Sequence, residues 1–260
     1  MKLLLKIAYD GSGYSGYQTQ PDRPSVQKTL TEAVSKAYGF DCTVTGCSRT
    51  DAGVHALGFC CAVEPVDRSR AITVPVGKNH RVISRFLPDD IAINGEALAG
   101  DDFHPRYSVT EKTYIYKMYD SPAADPFRRK RAWHLKHPLP ADSVMRMNEG
   151  GAALVGYHDF SSFMAAGSKI TDARRTVREV CVEKAGNEYT LRITADGFLY
   201  NMVRIITGTL VDCAAGTFDP GDMRRILAAC DRTKAGKTAP PDGLYLAEVR
   251  YGCPIDWKCE

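Results

Sequence analysis

What most constrains this chain is a hydrophobic period that switches repeatedly between two residues per cycle and three to four. Lys2–Tyr9 puts Leu3, Leu5, Ile7 and Tyr9 on one face and Leu4 and Ala8 on the other, as in a strand covered on both sides. A turn through Asp10-Gly11-Ser12-Gly13 follows. After Pro24 the residues Val26, Leu30, Ala33, Val34 and Ala37 recur at helical spacing up to Gly39, a glycine stop. Short strands are expected at Thr43–Gly46, Gly58–Val63 and Ile91–Asn94, with a helix after Pro75 that ends at Leu87-Pro88. Val109–Tyr119 is strand-like, with Tyr114, Tyr116 and Met118 on one face. The pattern then predicts a helix over about Ala141–Leu154, and strands Val177–Glu183 and Tyr189–Ala195 joined by a hairpin turn at Ala185-Gly186-Asn187. A helix over Phe198–Leu210 would bury Met202, Ile205, Ile206 and Leu210; a later helix contains Leu227, and Leu244–Val249 is a closing strand. Hairpins and crossovers in this order imply an α+β fold: two similar α/β halves in a mixed, largely antiparallel sheet with helices on one face. Gly, Asp and Pro cluster at Gly100 to Pro105, placing the expected boundary between halves 1–104 and 105–260.

Composition adds exclusions. With 44% apolar and 25% charged side chains, 260 residues can bury a core without disulfides or metals. The 34 basic and 31 acidic groups give +3, which neither requires nor excludes a nucleic-acid partner. Residues 1–100 carry 11 basic and 10 acidic groups, so any basic surface must come from local clustering. The N-terminal MKLLLKIAYDGSG is interrupted by Lys6 and Asp10 and does not read as a signal peptide. No stretch approaches the roughly 18 apolar residues of a membrane span, so a soluble, cytoplasmic protein is expected. Nine cysteines, Cys259 among them, are odd in number and form no CxxC pair. They read as reduced, mostly buried thiols, with neither a disulfide framework nor a metal site.

The chain has no phosphate-binding GxxxxGK[ST], no HExxH and no GxSxG. What stands out is Gly46-Cys47-Ser48-Arg49-Thr50-Asp51-Ala52-Gly53-Val54-His55-Ala56-Leu57-Gly58, a polar loop between apolar strands. Arg49, two positions from Asp51, would favour the ionised carboxylate that a nucleophile or base needs. The competing reading has Asp51 closing a turn and Arg49 in solvent. His55, a single His beside apolar residues, reads more simply as a satisfied structural group than as a catalyst.

The run GCSRTDAGVHALG closely resembles the catalytic motif of the TruA family of tRNA pseudouridine synthases, whose signature centres on R-T-D-A-G-V-H. The resemblance continues in family order through YDGSGYSGYQTQ, SVQKTL, LPDDIAI, DFHPRYSVTEKTYIY, HDFSSF, GFLYNMVRIITGTL and GLYLAEV, from Tyr9 to Val249. Tyr17 departs from the Trp of many members, and Ser84 from a common Asn. Cys47 has no role that the sequence supplies.

The resemblance implies ferredoxin-like or RRM-like halves around a central RNA-binding cleft, and a homodimer that needs no cofactor. It implies isomerisation of uridine to pseudouridine at uridines 38 to 40 of the tRNA anticodon stem-loop. By the same resemblance Asp51 is the nucleophile and Tyr114 a substrate-binding tyrosine, whose ring offers a face for an extruded uracil. Arg49 would fill the space left by the target base or hold its phosphate. Arg204, in an otherwise apolar helix, corresponds to the family's arginine that pairs with the catalytic carboxylate. A flipped nucleotide is required, because a stacked base hides the reacting atoms.

Local basic runs are candidate contacts to RNA phosphates: Arg128, Arg129, Lys130, Arg131 and Lys136 around Trp133; Lys169, Arg174, Arg175 and Arg178; and a weaker group of Lys78, Arg81 and Arg85. Two other readings stay open at this level: a synthase of the same fold acting on another RNA or tRNA position, and a noncatalytic RNA-binding or RNA-folding module.

Overall fold

A computed structural model describes residues 1–167 and 170–258 of the chain. They form two compact units, one of residues 1–110 with 245–260, the other of residues 111–244. A single cut at 104/105 differs from this chiefly in the C-terminal strand, which belongs with the N-terminal residues.

In the first unit the strands are β1 (Lys2–Tyr9), β2 (Cys42–Gly46), β3 (His55–Pro65), β4 (Ile91–Ala99) and β10 (Leu244–Tyr251). The order is β4-β1-β3-β10. One edge of β3 pairs antiparallel with β1, from Leu3↔Val63 to Tyr9↔Ala56. The other edge carries β2, antiparallel at residues 61–65, and β10, parallel at Tyr245↔His55 and Leu246↔Ala56. Helix α1 (Val26–Tyr38) buries Val26, Leu30, Ala33 and Val34, and ends where Gly39 takes a left-handed φ of 74° and donates its N–H to Ser35 O. Strand β4 is longer than expected. Asn94-Gly95 looks like a terminus in sequence, but the ladder with β1 shifts register there and resumes through Glu96. Glu96 is buried because donors surround its carboxylate: the N–H groups of Gly77 (2.8 Å), Asn79 (3.2 Å) and His80 (2.6 Å), the Asn79 amide (2.8 Å) and His80 Nδ1 (2.7 Å). Those bonds fix the short helix α2 (Asn79–Ile83) against β4.

The second unit runs β5 (Val109–Asp120), β6 (Trp133–Leu135), α3 (Ser143–Ala152), β7 (Gly156–Asp159), β8 (Arg174–Ala185), β9 (Glu188–Ala195), α4 (Met202–Ala214) and α5 (Asp222–Ala229). Its strand order is β5-β9-β8-β7, with β6 parallel on β5. The β8–β9 hairpin closes at Gly186, φ 61°, as the turn pattern predicted. Helix α3 packs on β8 and α4. Met202, Ile205, Ile206 and Leu210 of α4 are all buried as expected, and Thr207 and Thr209 tolerate burial by donating to Val203 O and Ile205 O, each at 2.8 Å. The helix starts at Met202 instead of Phe198, because Asn201 is left-handed at φ 59°.

The α+β expectation and its mixed sheet pairing hold. All eight described cysteines are free thiols, five of them buried; Cys259 lies outside the described residues. No described helix is long and apolar enough to cross a membrane.

Candidate active site

The Arg49–Asp51 loop is the link between β2 and β3, and the N-terminal turn of the same unit holds it from below. Cys47 N–H donates to Cys60 O at 2.9 Å, closing the base of the loop. Thr50 is buried: its hydroxyl is 2.8 Å from Tyr9 Oη, and its carbonyl accepts from Tyr17 N–H at 3.1 Å. Gly53, left-handed at φ 79°, donates to Tyr14 O at 3.3 Å. Two glycines of the turn make this approach feasible. A Cβ on Gly11 would lie 2.0 Å from Val54 O, and one on Gly16, itself at φ 98°, would lie 2.6 Å from Thr50 O. Tyr17, buried under the loop, stacks on Phe59 at 4.2 Å.

Asp51 is half-buried at the tip of this scaffold, with its carbonyl accepting from Val54 N–H at 3.2 Å. The backbone of Asp51 therefore closes a turn, while its neighbours Thr50, Gly53 and Val54 are tied to residues 9–17. Arg49 is exposed beside it. His55 is the first residue of β3, is buried, and stacks on Tyr245 at 4.5 Å. Its Nδ1 lies 3.1 Å from the Gly11 amide nitrogen and 3.2 Å from Asp10 Oδ1. These contacts tie His55 to the N-terminal turn and to β10.

Tyr114 and Arg204 belong to the second unit. Tyr114 sits in β5 opposite Ile193 of β9, buried, with its ring edge-on to Phe198 at 5.0 Å. Arg204 is half-buried on α4, donating from Nε to Ala239 O and from Nη1 to Asn201 Oδ1, both at 2.8 Å. Tyr116 donates to the adjacent carbonyl, Pro240 O, at 2.7 Å, and burial pushes its phenol well above the ordinary range. Residues 236–239 cross α4 at Gly208, where a Cβ would be 1.8 Å from Lys237 O. Sequence reasoning found Arg204 but missed the segment it grips, since nothing in residues 236–240 signals a contact with α4.

The basic runs fare differently from one another. Arg128 is engaged by Asp125 at 3.1 Å and by Glu188, and lies over the Tyr119 ring at 4.9 Å. Arg129, Lys130 and Arg131 are exposed. Arg174 forms a two-point pair with Asp172 at 2.9 and 3.1 Å, which holds the Asp172 carboxyl down at about 2. Arg175 donates to the Asp172 and Arg174 carbonyls, and Arg178 is exposed. Lys169 lies outside the described residues. Among the described residues no group of three or more His, Cys, Asp or Glu side chains could hold a metal ion.

A family model described as tRNA pseudouridine synthase matches residues 152–252. Proteins named tRNA pseudouridine synthase A align along nearly the whole chain. The one from Brevibacillus brevis is 43% identical over 250 residues, those from Bacillus velezensis and Bacillus subtilis 41% and 38% over 253, each alignment covering 96% of this chain and 99% of the relative. A solved Cbf5-Nop10-Gar1 complex contains a chain matching at a TM-score of 0.35 and 12% identity, covering 94% of this chain and 57% of that one. Identity of 43% over 250 residues, 96% of this chain, makes this chain a member of the tRNA pseudouridine synthase A family.

Proposed function

We propose that this protein isomerises uridine to pseudouridine at positions 38 to 40 of the tRNA anticodon stem-loop, with Asp51 as the nucleophile. Membership of the family supports an isomerase acting on tRNA. The observation that carries the role of Asp51 is its scaffold: a carboxylate in a loop whose neighbouring backbone is bonded to Tyr14 and Tyr17 and packed against Gly11 and Gly16. Such a loop holds one geometry without help from the substrate, as a reacting group must be held.

The product is an isomer of the substrate, so no oxidant, reductant or nucleotide is consumed and no cofactor is called for. Asp51 initiates cleavage of the bond between uracil N1 and the ribose. The uracil then rotates and rejoins the ribose through carbon, and the proton on that carbon passes to the freed nitrogen. Uridine must leave the base stack first. Tyr114 supports the extruded base with its ring, Arg49 occupies or steadies the place it vacates, and Arg204 pairs with the catalytic carboxylate. Arg129, Lys130, Arg131 and Arg178 contact RNA phosphates, a reading that their exposure supports. The active form is a cytoplasmic homodimer.

The test is to incubate purified protein with unmodified tRNA transcripts, without cofactors, and map pseudouridine by carbodiimide-dependent primer extension. Stops at positions 38 to 40 are expected. Stops elsewhere would move the target while keeping the reaction, and their absence would overturn the reading.

A further inference from the structure

Tyr107 stands out among the exposed side chains because its backbone is rigid while its ring is 76% exposed. Residues 104–108 form a turn locked by four hydrogen bonds. His104 Nδ1 accepts from the Arg106 and Tyr107 N–H groups at 3.1 and 3.3 Å, Ser108 N–H donates to His104 O at 2.9 Å, and His104 N–H donates to Ser108 Oγ at 3.1 Å. The turn is anchored in the first unit. Phe103 is buried with Leu4, Ala62 and Ala97 and packs against Tyr251 at 4.9 Å, while Tyr251 donates to Pro105 O at 3.0 Å and Lys2 Nζ to Phe103 O at 3.1 Å. The Tyr107 ring leans on the His104 imidazole at 4.3 Å, and the Arg106 guanidinium lies 5.7 Å from its centroid.

A lone exposed aromatic is ordinary on a protein surface. One whose backbone is fixed by a braced turn, with a cation beside it, meets the requirements of a stacking platform: a π-face for a base and donors for the adjoining phosphate. We propose that Tyr107 and Arg106 bind the RNA substrate, with an unpaired base stacked on Tyr107 and its phosphate on Arg106. RNA is the occupant because Arg106, the ring's immediate exposed neighbour, is a cation that suits a phosphate next to a stacked base, and because relatives of this chain are named for acting on tRNA. The inference rests on the tRNA reading above and adds a contact to it.

The experiment measures equilibrium binding of an unmodified tRNA transcript, and pseudouridine formation in it, for the wild type and for Tyr107→Phe, Tyr107→Trp and Tyr107→Leu. Phe and Trp keep the π-face and should bind like wild type. Leu keeps apolar bulk without it and should raise Kd roughly 5- to 150-fold, the range expected for losing one stacked base. Since the side chain is exposed, melting temperature should not move in any variant; if Leu does melt early, Arg106→Gln decides, because it leaves the ring in place and should weaken binding and lower its salt dependence, and unchanged binding would overturn the contact. Tyr107→Leu binding as tightly as wild type would overturn the contact alone, provided wild type modifies the transcript. So would equal losses in Phe and Leu, or a change confined to self-association. A wild type that neither binds nor modifies tRNA would overturn the contact and the proposed function together.

Discussion

Gly11→Ala measures how closely the N-terminal turn supports the Arg49–Asp51 loop. The added Cβ would sit 2.0 Å from Val54 O and 2.6 Å from Val54 C, and contacts under 3.0 Å do not occur, so turn or loop must move by about 1 Å. Overpacking of this kind costs about 1–3 kcal/mol. The same displacement strains the 3.1 Å hydrogen bond from Gly11 N–H to buried His55, worth about another 1–3 kcal/mol if it is lost. The sum, about 2–6 kcal/mol, is a large part of a typical folding stability. At about 2–4 °C per kcal/mol for a chain of this size, melting should fall by at least about 4 °C. Gly13→Ala is the control. It lies in the same turn, meets no atom within 4 Å, and should stay within about 0.5 kcal/mol of wild type. Thermal unfolding followed by circular dichroism compares the three proteins, and pseudouridine formation reports on the loop. A 1 Å misplacement of Asp51 should lower turnover about a hundredfold. Identical melting of Gly11→Ala and Gly13→Ala would refute the reasoning.

Three further outcomes are expected. Burial opposes ionisation of Glu96, but the His80 and Gly77 amides and the Asn79 and His80 side chains outweigh it and hold the carboxyl below the ordinary range. A depressed folded-state value means Glu96 adds stability above about pH 4.3, the unfolded value, and loses it as pH falls through the folded one. Acid unfolding of wild type should therefore steepen below about pH 4.3, and Glu96→Gln should be destabilised at pH 7 with a flatter acid limb; parallel acid limbs would contradict this. Among the described cysteines, a thiol reagent should label Cys253 first and Cys230 more slowly, since desolvation and the Asp159 carboxylate raise the Cys230 thiol. Cys60, pushed well up by burial, and the buried Cys47 and Cys61 should react only on unfolding, and their early labelling would show the loop base to be open. Tyr114→Phe keeps the edge-on contact with Phe198, so turnover should fall about a hundredfold with little change in tRNA affinity if the hydroxyl moves a proton. Equal losses in both would assign that hydroxyl to binding.

What was legible in the sequence was local. Strand β1, helix α1, strand β5 and the β8–β9 hairpin declare themselves by period and turn chemistry, and the Arg49–Asp51 loop by its residue types between apolar strands. What was hidden depends on distant residues. β6 and β7, at three and four residues, are too short to show a period and exist because β5 and β8 offer edges. The parallel pairing of β10 with β3 joins residues 190 apart in sequence. Glu96 lies beyond the expected strand Ile91–Asn94, and its burial makes sense only once its five donors, all from residues 77–80, are seen around it. The glycines of the N-terminal turn were visible, but their reason, the close passage of Thr50 and Val54, was not.

The central claim, that the Asp51 carboxylate carries the reaction, is tested most directly by Asp51→Asn, which removes the charge with almost no change in volume. Under single-turnover conditions with excess enzyme and an unmodified tRNA transcript, the variant should bind the RNA as wild type does and form no pseudouridine while wild type converts its target completely. Conversion by Asp51→Asn at a rate near wild type would contradict the account.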